Sequence, residues 1–191
     1  MALRKESLLS NSFKVKAERI AGDMRSAIGL SKNAPLCAFK LADHLNIRVR
    51  SIQECGLPDN GEKYDDWSAA LIYNKNNKPV IVHNKTRSLP RQQSDVMHEI
   101  SHRHCEHPPC KHPFGLLLPA TMLSVNPRHE EEASWLGATL QLPREALAWA
   151  IYHERMTLPA IAELYVASQQ MVRYRINITG LSKEVQRLHL V

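Results

Sequence analysis

The sequence predicts an α+β fold in which a small three-stranded sheet packs on helices and an all-helical, helix-turn-helix-like part follows. Two observations predict it. Short apolar runs at 47–52, 69–73 and 79–83 interrupt segments whose apolar residues recur at helical spacing, and from Pro143 onward only the helical period remains.

The elements follow in order. Ala17, Ile20, Ala21, Met24, Ala27 and Ile28 form one apolar stripe, so an amphipathic helix is expected over 15–30. Pro35 opens a shorter helix ending near Leu45. Over 47–52, Ile47, Val49 and Ser51 alternate with Arg48 and Arg50, the pattern of a half-exposed strand. The runs 69–73 and 79–83 flank Asn74-Lys75-Asn76-Asn77-Lys78 and read as a hairpin. A helix is expected over 94–104, ended by Pro108, Pro109 and Pro113, and a second long helix over 128–140, ending before Pro143. Residues 159–176 read as helix, tight turn and a second helix capped by Ser168, with Gln169, Gln170, Arg173 and Arg175 on the exposed face of the second.

Composition narrows the function classes. Hydrophobic residues at 43% and charged ones at 23% are ordinary for a globular chain and exclude disorder as the main description. No segment offers the roughly 20 apolar residues that span a bilayer, and the start has no signal-peptide core, so a cytoplasmic protein without membrane contact is expected. In that compartment Cys37, Cys55, Cys105 and Cys110 are expected to be thiols. The net charge of +6 suits an acidic partner, but it is spread without a dense basic block. Tyr165 also stands in the turn where a DNA-binding helix pair usually has Gly, so direct DNA binding is not favoured.

His98-Glu99-Ile100-Ser101-His102 is an HExxH sequence within a helical segment. Two histidines four residues apart lie on one helix face, where both imidazoles can reach one zinc ion (Zn2+). Glu99, beside the first ligand, is placed as a general base toward a metal-activated water. The extended metzincin motif is excluded, because Cys105 and Pro108 stand where it needs Gly and His. The third ligand is sought on the next helix, whose apolar stripe Ala133, Leu136, Gly137 and Leu140 marks the buried face. Glu132 lies within roughly 40° of Leu136 and is the favoured ligand. Glu130 lies on the other edge as a weaker choice, and His129 also points inward.

With these residues in place, the chain resembles the ImmA/IrrE family of metallo-endopeptidases, whose pattern is HExxH followed by E-x-E-A-x-x-F-A-x-x-L-L-x-P. The second element here is Glu130-Glu131-Glu132-Ala133-Ser134-Trp135-Leu136-Gly137-Ala138-Thr139-Leu140-Gln141-Leu142-Pro143. It departs from the pattern at Leu136, Gly137 and Gln141, all packing positions. The resemblance covers roughly residues 15–182 and implies a zincin-like metallopeptidase domain over 1–143 and a helical, helix-turn-helix-like subdomain over 144–191. It also implies that the glutamate before the alanine, Glu132, completes the zinc site. The substrate it implies is a protein, typically a helix-turn-helix transcriptional repressor whose cutting relieves repression.

The cluster His102, His104, Cys105, His107, Cys110 and His112 is a candidate for a second, structural zinc, but its spacing is not that of a standard knuckle, and these are read as loop residues near the mouth of the site. His83, His129 and Arg91 are candidates for stabilising an oxyanion. The rival function is a non-catalytic, metal-binding regulator that contacts DNA or protein, or a toxin-antitoxin component. Glu99 separates them, since a structural site has no use for a base beside its ligand.

Overall fold

Ser10 starts the first helix: its hydroxyl accepts from the Phe13 amide at 3.2 Å, and α1 runs over Asn11–Ala27. The computed structural model describes residues 9–55, 67–108 and 126–190. Because Ser10 supplies the cap, α1 begins before the apolar stripe does, and Val15 stays exposed. Pro35 precedes α2 (Ala38–His44) instead of opening it, and Cys37 is the N-cap residue.

The sheet has the order β1-β3-β2, with β1 (Arg48–Ser51) parallel to β3 (Pro79–His83) and β2 (Ala69–Tyr73) antiparallel to it. The β2–β3 hairpin is closed by Asn74, whose Oδ1 accepts from the amides of Asn76 and Lys78 at 2.9 and 3.0 Å, and by Asn77 at φ 55°. Leu71 and Ile81 face the helices, while Ile72, Val80 and Val82 pack with Ile52 and Trp67 on the opposite face. β2 is an edge strand of this sheet.

Helix α3 covers Leu89–His104, longer at its start than the sequence suggests because Pro90 fits the first turn. Helix α4 covers Pro127–Gln141 and packs along α3 more extensively than any other pair of elements. Four short helices follow: α5 (Arg144–Tyr152), α6 (Leu158–Leu164), α7 (Gln169–Ile178) and α8 (Ser182–Arg187). The described residues thus form a mixed α+β structure with one three-stranded sheet and a helical C-terminal part.

Apart from the small cluster on the outer face of the sheet, buried apolar residues between Ala17 and Leu140 gather in one core, and those from Leu142 to Leu190 make another. Two fully buried arginines sit where the clusters meet. Arg25 donates to the carbonyls of Ala21, Ala34 and Leu140 at 3.1, 2.9 and 2.9 Å. Arg175 donates to Leu142 O at 2.8 Å and to Glu18 at 2.7 Å, and the same glutamate accepts from the Arg144 amide at 2.9 Å. The last carbonyls of α4, left without helical partners, are thereby satisfied by cations, which also suit the negative end of a helix.

This corrects the expectation for α7. Ser168 caps it as expected, accepting from the Met171 amide at 3.1 Å, but Arg175 is internal and unavailable to any external partner. Tyr165 is buried too, its hydroxyl donating to Asn33 O at 2.7 Å. The turn is made at Val166, with φ 48°.

Candidate metal centre

α3 turns His98 and His102 toward α4 and Glu99 toward β2, and the approach of α4 to His98 depends on a glycine. A Cβ added at Gly137 would stand 3.1 Å from the His98 backbone nitrogen and 3.2 Å from its Cα, so only glycine lets the two helices approach this closely without displacement. Glu130 lies seven residues, two turns, before Gly137 and therefore about 20° from it around α4, whereas Glu132 lies about 140° away. Of the two edge glutamates, it is Glu130 that shares the line facing His98.

The ligand atoms converge accordingly. His98 Nε2 and His102 Nε2 are 3.0 Å apart, and the Glu130 carboxylate oxygens lie 3.2 Å from the first and 3.3 Å from the second. Among the described residues these three form the one group whose donor atoms all fall within 4.8 Å of one another. A tetrahedral zinc ion bonded at about 2.0–2.1 Å spaces its ligand atoms about 3.3 Å apart, a spacing close to that of the two imidazole nitrogens and of each from its nearer Glu130 oxygen, so two histidines and a carboxylate fit the donor set of such an ion. The group is reached by solvent, since the side chains of His98, His102 and Glu130 retain 25%, 15% and 43% exposure.

Electrostatics agree with a cation-binding site. The neighbouring imidazoles of His102 and His98 hold the Glu130 carboxyl well below the usual carboxylate range. Burial pulls His98 down, but Glu130, Glu99 and Asp95 outweigh it, and its pKa is raised. Glu99 is pushed up by burial, against the pull of both histidines. Its Oε2 accepts from the Leu71 amide of β2 at 2.8 Å, which ties the carboxylate to the sheet edge.

Glu132, the favoured third ligand in the sequence, is not gathered with the histidine pair. Its Oε1 accepts from Arg128 Nε at 3.0 Å and its Oε2 lies 3.0 Å from His107 Nε2. The apolar stripe located the buried face of α4 correctly, but it could not tell which edge of that face would meet α3.

His107 is the site residue whose position the sequence concealed. α3 ends in a Schellman turn: the His107 amide donates to His102 O at 3.0 Å and the Glu106 amide to Arg103 O at 3.3 Å, with Glu106 at φ 56°. The turn folds His107 back over His102, with ring nitrogens Nδ1 to Nδ1 at 3.0 Å. Glycine usually marks such a turn; glutamate hid it.

Of the remaining candidates, His129 stacks on His107 with ring centroids 4.3 Å apart, and Arg91 pairs with Asp95 at 3.4 Å. His83 is buried with its ring edge-on to Phe39 and its pKa lowered by burial. Cys105 is half-buried, with burial pushing its thiol up to about 11; Cys110 and His112 lie outside the described residues.

The comparisons with known proteins come to bear on this geometry. No curated protein matches the chain. Among solved structures, a Mycobacterium tuberculosis transcriptional regulator superposes with a TM-score of 0.50 at 15% identity, over 88% of this chain and 47% of that one, a likeness of fold. This chain therefore spans about half the length of that regulator. No described helix is long and apolar enough to cross a membrane. A family model for the IrrE N-terminal-like domain, Peptidase_M78, matches residues 42–177, and the chain belongs to that family.

Proposed function

We propose that the chain is a zinc-dependent endopeptidase whose metal is held by His98, His102 and Glu130 and whose general base is Glu99. The observation that carries this reading is the convergence of two imidazole nitrogens 3.0 Å apart with the Glu130 carboxylate, one oxygen of which lies 3.2 Å from His98 and the other 3.3 Å from His102, beside a half-enclosed carboxylate that no salt bridge neutralises among the described residues. A bound zinc ion would supply Lewis acidity toward a peptide carbonyl and lower the pKa of a water. Glu99, next to His98 and held by the Leu71 amide, would take a proton from such a water and return it to the departing amine. His98 and His102 would hold the metal through Nε2, since each Nδ1 already has a neighbour: Ser134 Oγ at 3.4 Å for His98 and His107 Nδ1 at 3.0 Å for His102.

For the substrate we propose a regulatory protein, specifically a helix-turn-helix repressor, as the family resemblance implies. Residues 1–143 would carry the chemistry and 144–191 an accessory helical unit. Burial of Arg175 and Tyr165 supports a packing role for that unit over direct reading of DNA. The test is cleavage of a purified helix-turn-helix repressor by the zinc-loaded wild-type chain and by Glu99→Gln. The reading requires cleavage by the wild type and a loss of at least about 100-fold in the variant, with zinc still bound. Equal cleavage by both would refute Glu99 as the base.

A further inference from the structure

Glu132 and His107 lie outside the proposed ligand set, yet they form a continuous polar path to it. His102 Nδ1 is 3.0 Å from His107 Nδ1, His107 Nε2 is 3.0 Å from Glu132 Oε2, and Glu132 Oε1 accepts from Arg128 Nε at 3.0 Å. The His107 side chain is 4% exposed and that of Glu132 15%. The path is held at both ends by backbone geometry. The Schellman turn at Glu106 fixes His107 over His102, and the first turns of α4, capped by Asn126, carry Arg128 and Glu132. His129 stacks on the His107 ring at an interplanar angle of 9°, which restrains its rotation.

Hydrogen-bond arithmetic then assigns every proton along the path. If His102 offers the lone pair of Nε2 to a metal, its proton must sit on Nδ1. His107 Nδ1 must therefore accept, which puts the His107 proton on Nε2, directed at the Glu132 carboxylate. The carboxylate is an acceptor toward both His107 and Arg128. The two histidine donors point the same way, from the metal side toward Glu132, Arg128 donates to the same carboxylate from its other oxygen's side, and no tautomer conflicts with its neighbour.

We infer that His107 and Glu132 are positioning residues for the metal centre, a two-step relay that locks His102 in its Nδ1–H tautomer and fixes the aim of its Nε2. This rests on the proposed reading of His102 as a ligand. Groups hydrogen-bonded to metal-binding histidines commonly set affinity within about 10–100-fold. The relay gives Glu132 a function distinct from ligation, and it makes His107 the residue through which that function reaches the site.

The experiment is zinc titration of the full chain as wild type, His107→Leu and His107→Gln, together with ring ¹⁵N NMR of the zinc-loaded wild type. Leucine cannot continue the relay, and His107→Leu should bind zinc about 10–100-fold more weakly. Glutamine can accept from His102 with its oxygen and donate to Glu132 with its amide, so His107→Gln should recover most of that loss. In the wild-type spectrum His107 should carry its proton on Nε2, a readout independent of how any variant folds. Wild-type affinity in His107→Leu, no recovery in His107→Gln, or a His107 proton on Nδ1 would each overturn the relay while leaving the ligand set standing. A wild-type chain that takes up no zinc would overturn the ligand set and the relay together.

Discussion

Gly137 on α4 lies against the backbone of His98 on α3, at a distance a Cβ could occupy only by pushing the helices apart, with contacts of 3.1 and 3.2 Å to His98 N and Cα. The contact is backbone to backbone, so no flexible side chain can yield. It also sets the line along which Glu130 meets the histidine pair.

Gly137→Leu should therefore separate α3 from α4 at the site itself. Overpacking of this kind costs about 1–3 kcal/mol. The denaturant midpoint should fall, and zinc affinity should fall with it, because the spacing of Glu130 from His98 and His102 depends on the same approach. Unchanged values of both would show that the helices can accommodate the side chain elsewhere.

Glu106 holds the left-handed position of the Schellman turn at φ 56°, where an L-residue pays a conformational penalty. Glu106→Gly should be neutral or stabilising by up to about 1 kcal/mol, whereas Glu106→Val, β-branched at the same φ, should destabilise by about 1–2 kcal/mol. Thermal melts of the two variants check the order. The reverse ranking would mean that the turn is not set by this residue.

Arg25 is buried, and burial lowers its pKa to about 10, so it remains charged at neutral pH while serving carbonyls of α1, of the following loop and of α4. Arg25→Met fills similar volume but strands those acceptors, and a loss of about 2–4 kcal/mol is expected in chemical denaturation. Because Arg25 stands between the two apolar clusters, the loss should appear as a single cooperative transition shifted to lower denaturant, not as early release of one half.

Much of this architecture was legible from the chain. The β2–β3 hairpin follows from two apolar runs about an Asn-rich turn, and the Ser168 cap of α7 from its position before a helical stripe. The pairing of His98 and His102 was legible because their spacing forces two imidazoles onto one helix face. What was hidden depended on tertiary contact or on residues in uncommon roles. Periodicity places both Glu130 and Glu132 at edges of the buried stripe, and only the seating of Gly137 on His98 selects between them. A glutamate in a turn that normally takes glycine concealed the return of His107 to His102. Arg175 looked solvent-facing because a cation at helical spacing reads as surface, and its partners Glu18 and Leu142 O are remote in sequence.

The most direct test of the metal centre is the zinc content and zinc affinity of Glu130→Gln beside Glu132→Gln. On the proposed reading a glutamine at 130 would replace an anionic ligand with a poor one, and that variant should lose zinc; a glutamine at 132 still offers His107 an oxygen, and that variant should retain it. Zinc kept by Glu130→Gln at wild-type affinity and lost by Glu132→Gln would contradict the site described.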